Sequence, residues 1–251
     1  MFTPAPDPIT ARHVPALAPE FAQLVAWDAA PTVVDTAPGC WALRVEINDE
    51  VYAYATTDDY AVATTRADIR RWSVTIYGRE NDQPETQGDS DESLAAALEE
   101  ATADFPNPGY NPFEAFGPPL LLVACGARKQ QTPATAAELY SGRYFTECLH
   151  AAKSVAEDAD IRVISARHGL VELADELAPY DARLTRDRRD QVADLIREQA
   201  TTTDLLRRPV VVLGGRDYVE AARAVWPHAV APLAGAAIGI QRQRLAQLAT
   251  A

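Results

Sequence analysis

The sequence predicts an α/β fold: a C-terminal open, mostly parallel sheet flanked by helices, preceded by a smaller β-rich α+β domain. Three observations predict it. The back half alternates short apolar runs with helix-length amphipathic stretches, the rhythm of βα units. The front half repeats the apolar–polar alternation of half-buried strands. Between them Phe105-Pro106-Asn107-Pro108-Gly109-Tyr110-Asn111-Pro112 breaks regular structure, which places a boundary there. The expected domains are residues 1–110 and 118–251, and a chain of 251 residues is long enough for each to bury its own core.

In the front half, Trp41, Leu43, Val45 and Ile47 alternate with Arg44 and Glu46, predicting a strand over residues 40–47. Asn48-Asp49 turns the chain into a second strand over 51–55, and Trp72, Val74 and Ile76 repeat the alternation in a third. Residues 78–92 are polar and punctuated by glycine and proline, so they read as a mobile loop. Ser90 or Asp91 then caps a helix over 92–104. Nothing in this half matches a catalytic motif, and it reads as an accessory domain. In the back half, strands are expected at 120–124, 161–164, 210–213 and 229–231, with helices near 136–157, 186–202, 218–225 and 238–248.

Charge divides the halves as sharply as periodicity does. The net charge is −13, and all of it lies in front: residues 1–110 hold 19 Asp and Glu against 6 Arg, whereas the remainder holds 17 of each sign. An acidic front supplies solubility or salt tolerance, repels or mimics a polyanion, or docks a basic protein partner. The balanced back half remains free to bind phosphate locally. No segment reaches the roughly 18 apolar residues of a membrane span and no basic leader opens the chain, so a cytoplasmic location without membrane attachment is expected. Cys40, Cys125 and Cys148 are too few and too scattered for a disulfide framework or zinc site, and His13, His150 and His228 lack ligand spacing. No dinucleotide fingerprint is present. Neither a metal nor a redox cofactor is therefore expected.

The segments just beyond the back-half strands carry the functional signal. The first strand runs into Cys125-Gly126-Ala127-Arg128-Lys129, the second into Ser165-Ala166-Arg167-His168-Gly169, the third into Gly214-Gly215-Arg216-Asp217-Tyr218 and the fourth into Leu233-Ala234-Gly235. Open α/β sheets bind ligands beyond the carboxyl ends of their strands, where glycine admits close approach and helix N-termini present unpaired N–H groups. Four such ends converge on one expected site.

The same segments carry a family resemblance. Cys125-Gly126-x-x-Lys129, Glu138-Leu139-Tyr140-x-Gly142-x-x-Phe145, Ser165-Ala166-x-x-Gly169-Leu170, Pro179-Tyr180-Asp181, Gly214-Gly215-x-x-Tyr218 and Pro232-Leu233-x-Gly235-x-x-Ile238-Gly239-x-Gln241 resemble an uncharacterised α/β domain family of bacteria, phages and archaea. That family is distantly similar to the YaaA peroxide-stress proteins and to a domain of archaeosine synthase. The resemblance covers about residues 118–248, and it implies a nucleobase, nucleotide or DNA substrate. DNA binding of the YaaA kind is attributed to a basic cleft, and the acidity of this chain departs from that pattern.

Each candidate residue has a chemical reading and a plainer one. Lys129, one of only two lysines beside 21 arginines, holds phosphate or attacks C1′ as an amine, or is a solvated loop residue. Arg128 shares its loop. Arg143, near a helix N-terminus, clamps an anion in bidentate fashion or points to solvent. Tyr140 stacks on a base, whereas Phe145 belongs to the core. Asp181 directs water or stabilises charge at C1′, or merely caps a turn; Glu138 is the competing carboxylate, more simply a helix-face residue. Gln241 reads a base edge or caps a turn. Cys125 and His168 read as nucleophile and base, or as a buried thiol and a loop histidine. Gly126, Ser165, Gly215, Arg216 and Tyr218 complete the expected substrate-binding set, with Asp181, Lys129 and Tyr140 as the catalytic set. The expected function is cleavage or exchange of an N-glycosidic bond, in the manner of a DNA glycosylase acting on modified bases. A non-catalytic nucleic-acid-binding stress or defence module is the alternative, and a Cys-His hydrolase or transferase is the third reading.

Overall fold

The computed structural model describes residues 7–58, 61–103 and 116–249, and the expected boundary at 105–112 lies outside the described residues. The fold is mixed α/β, with several sheets and eight α-helices among the described residues.

The chain opens with α1 (Pro8–His13) and α2 (Ala18–Ala26). A five-stranded antiparallel meander comes next: β1 (Thr32–Ala37), β2 (Cys40–Glu46), β3 (Val51–Thr56), β4 (Trp72–Gly78) and β5 (Pro84–Ser90), in that spatial order. The β2–β3 turn forms because the Asn48 side chain accepts hydrogen bonds from the Glu50 and Val51 amides, at 2.8 and 2.9 Å. The inward face of the sheet, with Leu43, Val45, Ala53, Ala55, Trp72, Val74 and Ile76, is buried together with residues of α2 and of α3 (Leu94–Thr102).

Two front-half expectations need correction. Residues 78–92 contain a strand, β5, paired along β4, rather than a mobile loop. Its inward position is Gly88, where an added Cβ would lie 2.2 Å from the Ala97 carbonyl oxygen. Helix α3 presses so closely that only hydrogen fits, and the apolar alternation that marks a strand is missing. The cap of α3 is Ser93, whose hydroxyl accepts from the Ala96 amide at 3.1 Å, rather than Ser90 or Asp91. Ser90 instead receives the Glu92 and Ser93 amides in the preceding turn.

In the back half come β6 (Leu120–Ala124), β7 (Ala134–Thr135), α4 (Ala136–Leu139), α5 (Arg143–Lys153), β8 (Ile161–Ser165), β9 (Gly169–Glu172), β10 (Glu176–Leu177), α6 (Arg186–Thr202), β11 (Val210–Leu213), α7 (Arg216–Arg223) and α8 (Ile238–Leu248). A four-stranded sheet runs β11-β6-β8-β9, with the first two pairs parallel and β8–β9 an antiparallel hairpin; β7 and β10 form a separate two-stranded ribbon. Every residue of β6 and β11 is buried, as a strand covered on both faces requires.

Here too the structure departs from expectation. Residues 229–231 are not a full strand: Val230 makes one parallel bridge to Val211. The helix expected over 136–157 is broken at Tyr140, which leaves helical geometry to bridge Lys129, and it restarts at Gly142, the N-cap of α5. Helix α2 of the front half also contributes to the back core, because Ala18 and Ala22 are buried with the residues of β6, β8 and β11.

Candidate active site at the carboxyl edge of the sheet

Three strands, β6, β8 and β11, end side by side, and the residues just after them supply a connected polar cluster. The Tyr180 hydroxyl lies 2.8 Å from the Tyr140 hydroxyl, 2.8 Å from Ser165 Oγ and 4.0 Å from Cys125 Sγ. Ser165 Oγ also accepts the amides of Arg167 and His168, at 3.2 and 2.9 Å, which turns the chain beyond β8. From α7, the Tyr218 hydroxyl donates to the Cys125 carbonyl at 3.1 Å and meets the Cys125 thiol at 3.2 Å. Tyr140 packs its ring on Phe145, with centroids 5.2 Å apart, and His168 stands edge-on to Tyr180, also at 5.2 Å.

Lys129 sits at the mouth of this cluster. Its ammonium lies 4.3 Å from the centroid of the Tyr180 ring and 5.7 Å from that of Tyr140, and it donates a long 3.5 Å hydrogen bond to the Gly126 carbonyl. No carboxylate pairs with it among the described residues. The Arg167 guanidinium approaches the same Tyr180 ring at 5.8 Å. Burial raises the pKa values of Tyr140, Tyr180 and Tyr218, reinforced in the last two by the neighbouring Cys125. Burial, and then the nearby Arg167 charge, lowers that of His168. At neutral pH the phenols are uncharged.

Several expected site residues are therefore joined by contacts, most of them through Tyr180: Cys125, Gly126, Lys129, Tyr140, Ser165, His168 and Tyr218. Others are placed differently. Tyr140 is 1% exposed, so its ring is part of the core and offers no face to a base. Gln241 has both ends of its amide engaged, accepting from the Tyr144 hydroxyl at 2.6 Å and donating to the Ala236 carbonyl at 2.8 Å. Arg143 and Arg216 are exposed, with side chains 79% and 88% accessible, and each pairs with a glutamate one turn along its helix, Glu147 and Glu220. Arg128 is exposed on the β6 loop. Asp181 is exposed and forms no hydrogen bond or ion pair with any described residue, although Tyr180 beside it lies in the cluster. Glu138 bonds the Thr135 hydroxyl at the start of α4. Cys125 is bonded to Tyr218 rather than to His168. Gly215 is the N-cap of α7, with open space on its Cα.

Sequence reasoning missed Tyr180 and Arg167. Tyr180 belongs to the Pro179-Tyr180-Asp181 motif, in which the charged neighbour is the more conspicuous residue; that motif was the available signal. A recess of about 250 Å³ borders the first turn of α7, lined by Arg186, Arg189, Arg216, Asp217 and Glu220, with Arg189 and Arg216 both paired to Glu220. No group of three or more potential metal ligands occurs among the described residues. No described helix is long and apolar enough to cross a membrane.

Comparison with known proteins places this site inside a recognised region. The model of a family described as "Family of unknown function (DUF6884)" matches residues 120–247, from the first residue of β6 almost to the end of α8. Neither a curated protein nor a solved structure matches the chain.

Proposed function

The chain belongs to this family of unknown function, and we propose from the site itself that it is an enzyme acting on a nucleobase-bearing, phosphate-carrying substrate, cleaving or exchanging its N-glycosidic bond. The observation that carries the reading is Lys129: an ammonium held against two tyrosine rings at the convergence of three strand ends, with no carboxylate partner among the described residues. Such a cation attracts an anion, and the exposed Arg128 and Arg167 beside it extend the attraction to a phosphate. The resemblance read in the loop motifs, to a family distantly similar to a domain of archaeosine synthase, supports the substrate class.

In this reading Lys129 holds phosphate while Ser165, Tyr180 and Tyr140 keep the loops in place. Asp181, exposed next to Tyr180, takes a proton from water; the water oxygen bonds to C1′, the C1′–N bond breaks, and the base leaves with a proton from solvent. A second reading, a binding module without chemistry, draws support from the absence of any carboxylate bonded to the cluster among the described residues. In that case the cationic loops grip backbone phosphates and the acidic front half docks a basic partner.

Mass spectrometry of small molecules released from nucleosides, nucleotides and DNAs with ordinary and modified bases separates the two. The glycosidic reading expects a free base from wild type, at least 100-fold less from Asp181→Asn, and a raised KM in Lys129→Met. Salt-dependent DNA binding with no released base overturns it in favour of the binding module.

A further inference from the structure

The front half contains a cleft that the strand-edge site does not use. It encloses about 420 Å³, within the range of small-ligand pockets, and its lining includes Arg12, His13, Trp41, Asp58, Asp68 and Arg70. These come from α1, from β2 and from the segment linking β3 to β4, so three parts of the front half build it.

The arginines are the informative residues. Residues 1–110 hold six of them among 19 carboxylates. Arg44 and Arg79 pair with Glu46, Arg66 with Glu20, and Arg71 with Asp89. The guanidinium groups of Arg12 and Arg70, both exposed residues, form no hydrogen bond or ion pair with any described residue, and both residues line this cleft. In so acidic a region two guanidinium groups without a carboxylate partner among the described residues, lining one cavity, are a place for an anion brought from outside. Asp58 and Asp68 also line the cleft, and no ion pair joins either of them to Arg12 or Arg70; Asp58 accepts the Ala61 amide at 2.6 Å and Asp68 accepts the Thr65 hydroxyl.

The remaining lining says what else the ligand carries. Trp41 contributes an indole, a stacking surface for a planar ring. His13 is almost wholly buried, and its Nδ1 lies 3.1 Å from the Ala63 carbonyl oxygen. A carbonyl can only accept, so Nδ1 carries the proton and Nε2 is left as an acceptor. Burial holds this imidazole below its ordinary pKa and so keeps it neutral. Acceptors at His13, Asp58 and Asp68 suit the hydroxyls of a sugar or an exocyclic amine.

We infer that this cleft is a second ligand site, distinct from the carboxyl edge of the sheet, for a nucleoside monophosphate whose phosphate is held by Arg12 and Arg70 and whose base lies against Trp41. The inference is independent of the chemistry assigned to the strand edge. It is tested by calorimetric titration of the full chain carrying Lys129→Met, which removes the strand-edge ammonium, with the nucleoside 5′-monophosphates, the corresponding nucleosides and inorganic phosphate. A monophosphate is expected to bind at least tenfold more tightly than its nucleoside. The double variant Arg12→Ala/Arg70→Ala is expected to erase that preference, and Trp41→Ala to weaken monophosphate at least fivefold while leaving inorganic phosphate unchanged. Circular dichroism matching the parent shows that each variant is folded, and Arg12→Lys/Arg70→Lys retains part of the affinity if charge is what matters. The inference is overturned if no monophosphate binds, or if the folded double alanine variant binds it as the parent does.

Discussion

Tyr180 offers one hydroxyl to two others, those of Tyr140 and Ser165, inside a region where unpaired hydroxyls are expensive. Replacing it with phenylalanine keeps the ring beneath the Lys129 ammonium but removes the hydroxyl that Tyr140 and Ser165 share, while Ser165 Oγ keeps the Arg167 and His168 amides. Tyr180→Phe should therefore lose about 1–3 kcal/mol of stability in urea unfolding while retaining anion binding at Lys129. A loss below about 0.5 kcal/mol would mean that the freed hydroxyls pair elsewhere and that Tyr180 is not the junction of the cluster. The residues flanking this junction were readable in advance, because a strand that ends in small or polar residues announces its carboxyl edge: Cys125-Gly126, Ser165-Ala166 and Gly214-Gly215 all do. Which of the polar residues face inward was not readable. The alternation that orients side chains stops where the strand stops, so nothing in the spacing tells that Tyr180 is buried in the cluster while Asp181 beside it is exposed.

The β8–β9 hairpin shows how an element is held by a partner distant in sequence. Gly169 has a φ of +70°, and a Cβ there would meet Gln199 Oε1 at 2.1 Å and Leu195 Cγ at 2.9 Å. Gln199, on α6, accepts from the Leu170 amide at 2.7 Å and donates to the carbonyls of His168 and Leu170, at 2.9 and 3.2 Å. Gly169→Ala adds a left-handed backbone penalty to overpacking against α6, and about 2–4 kcal/mol of destabilisation is expected in equilibrium unfolding. A near-neutral Gly169→Ala would show that α6 yields and that the hairpin is not pinned by it. The bounds of α6 follow from amphipathic spacing, because a long helix buries one stripe and leaves the rest polar, whereas α8 buries only Leu245 and Leu248 and leaves Ile238 and Ile240 exposed. Periodicity fails for β5, where the Gly88–α3 approach replaces side-chain packing, and at Tyr140, where a bridge to Lys129 interrupts a stretch that is helical by composition.

Across the whole molecule, the front half and the back half share more than a linker. Helix α2 belongs to the chain before β1, yet Ala18 and Ala22 are buried in the core built on β6, β8 and β11, and Val230 packs in turn against the front core. Small residues at these positions let α2 approach the sheet closely, and a carboxylate at Ala22 would have to enter a site that is 2% exposed and apolar. Ala22→Asp is therefore expected to destabilise the back sheet as well as the front one. Hydrogen exchange read peptide by peptide decides it: amides of β11, residues 210–213, should exchange faster in the variant than in wild type, together with those of the front sheet. If the acceleration stops at residue 103, α2 serves only its own half and the two cores are energetically separate. If it reaches β11, the carboxyl edge that carries Lys129 and Tyr180 is held in shape partly by the acidic front half.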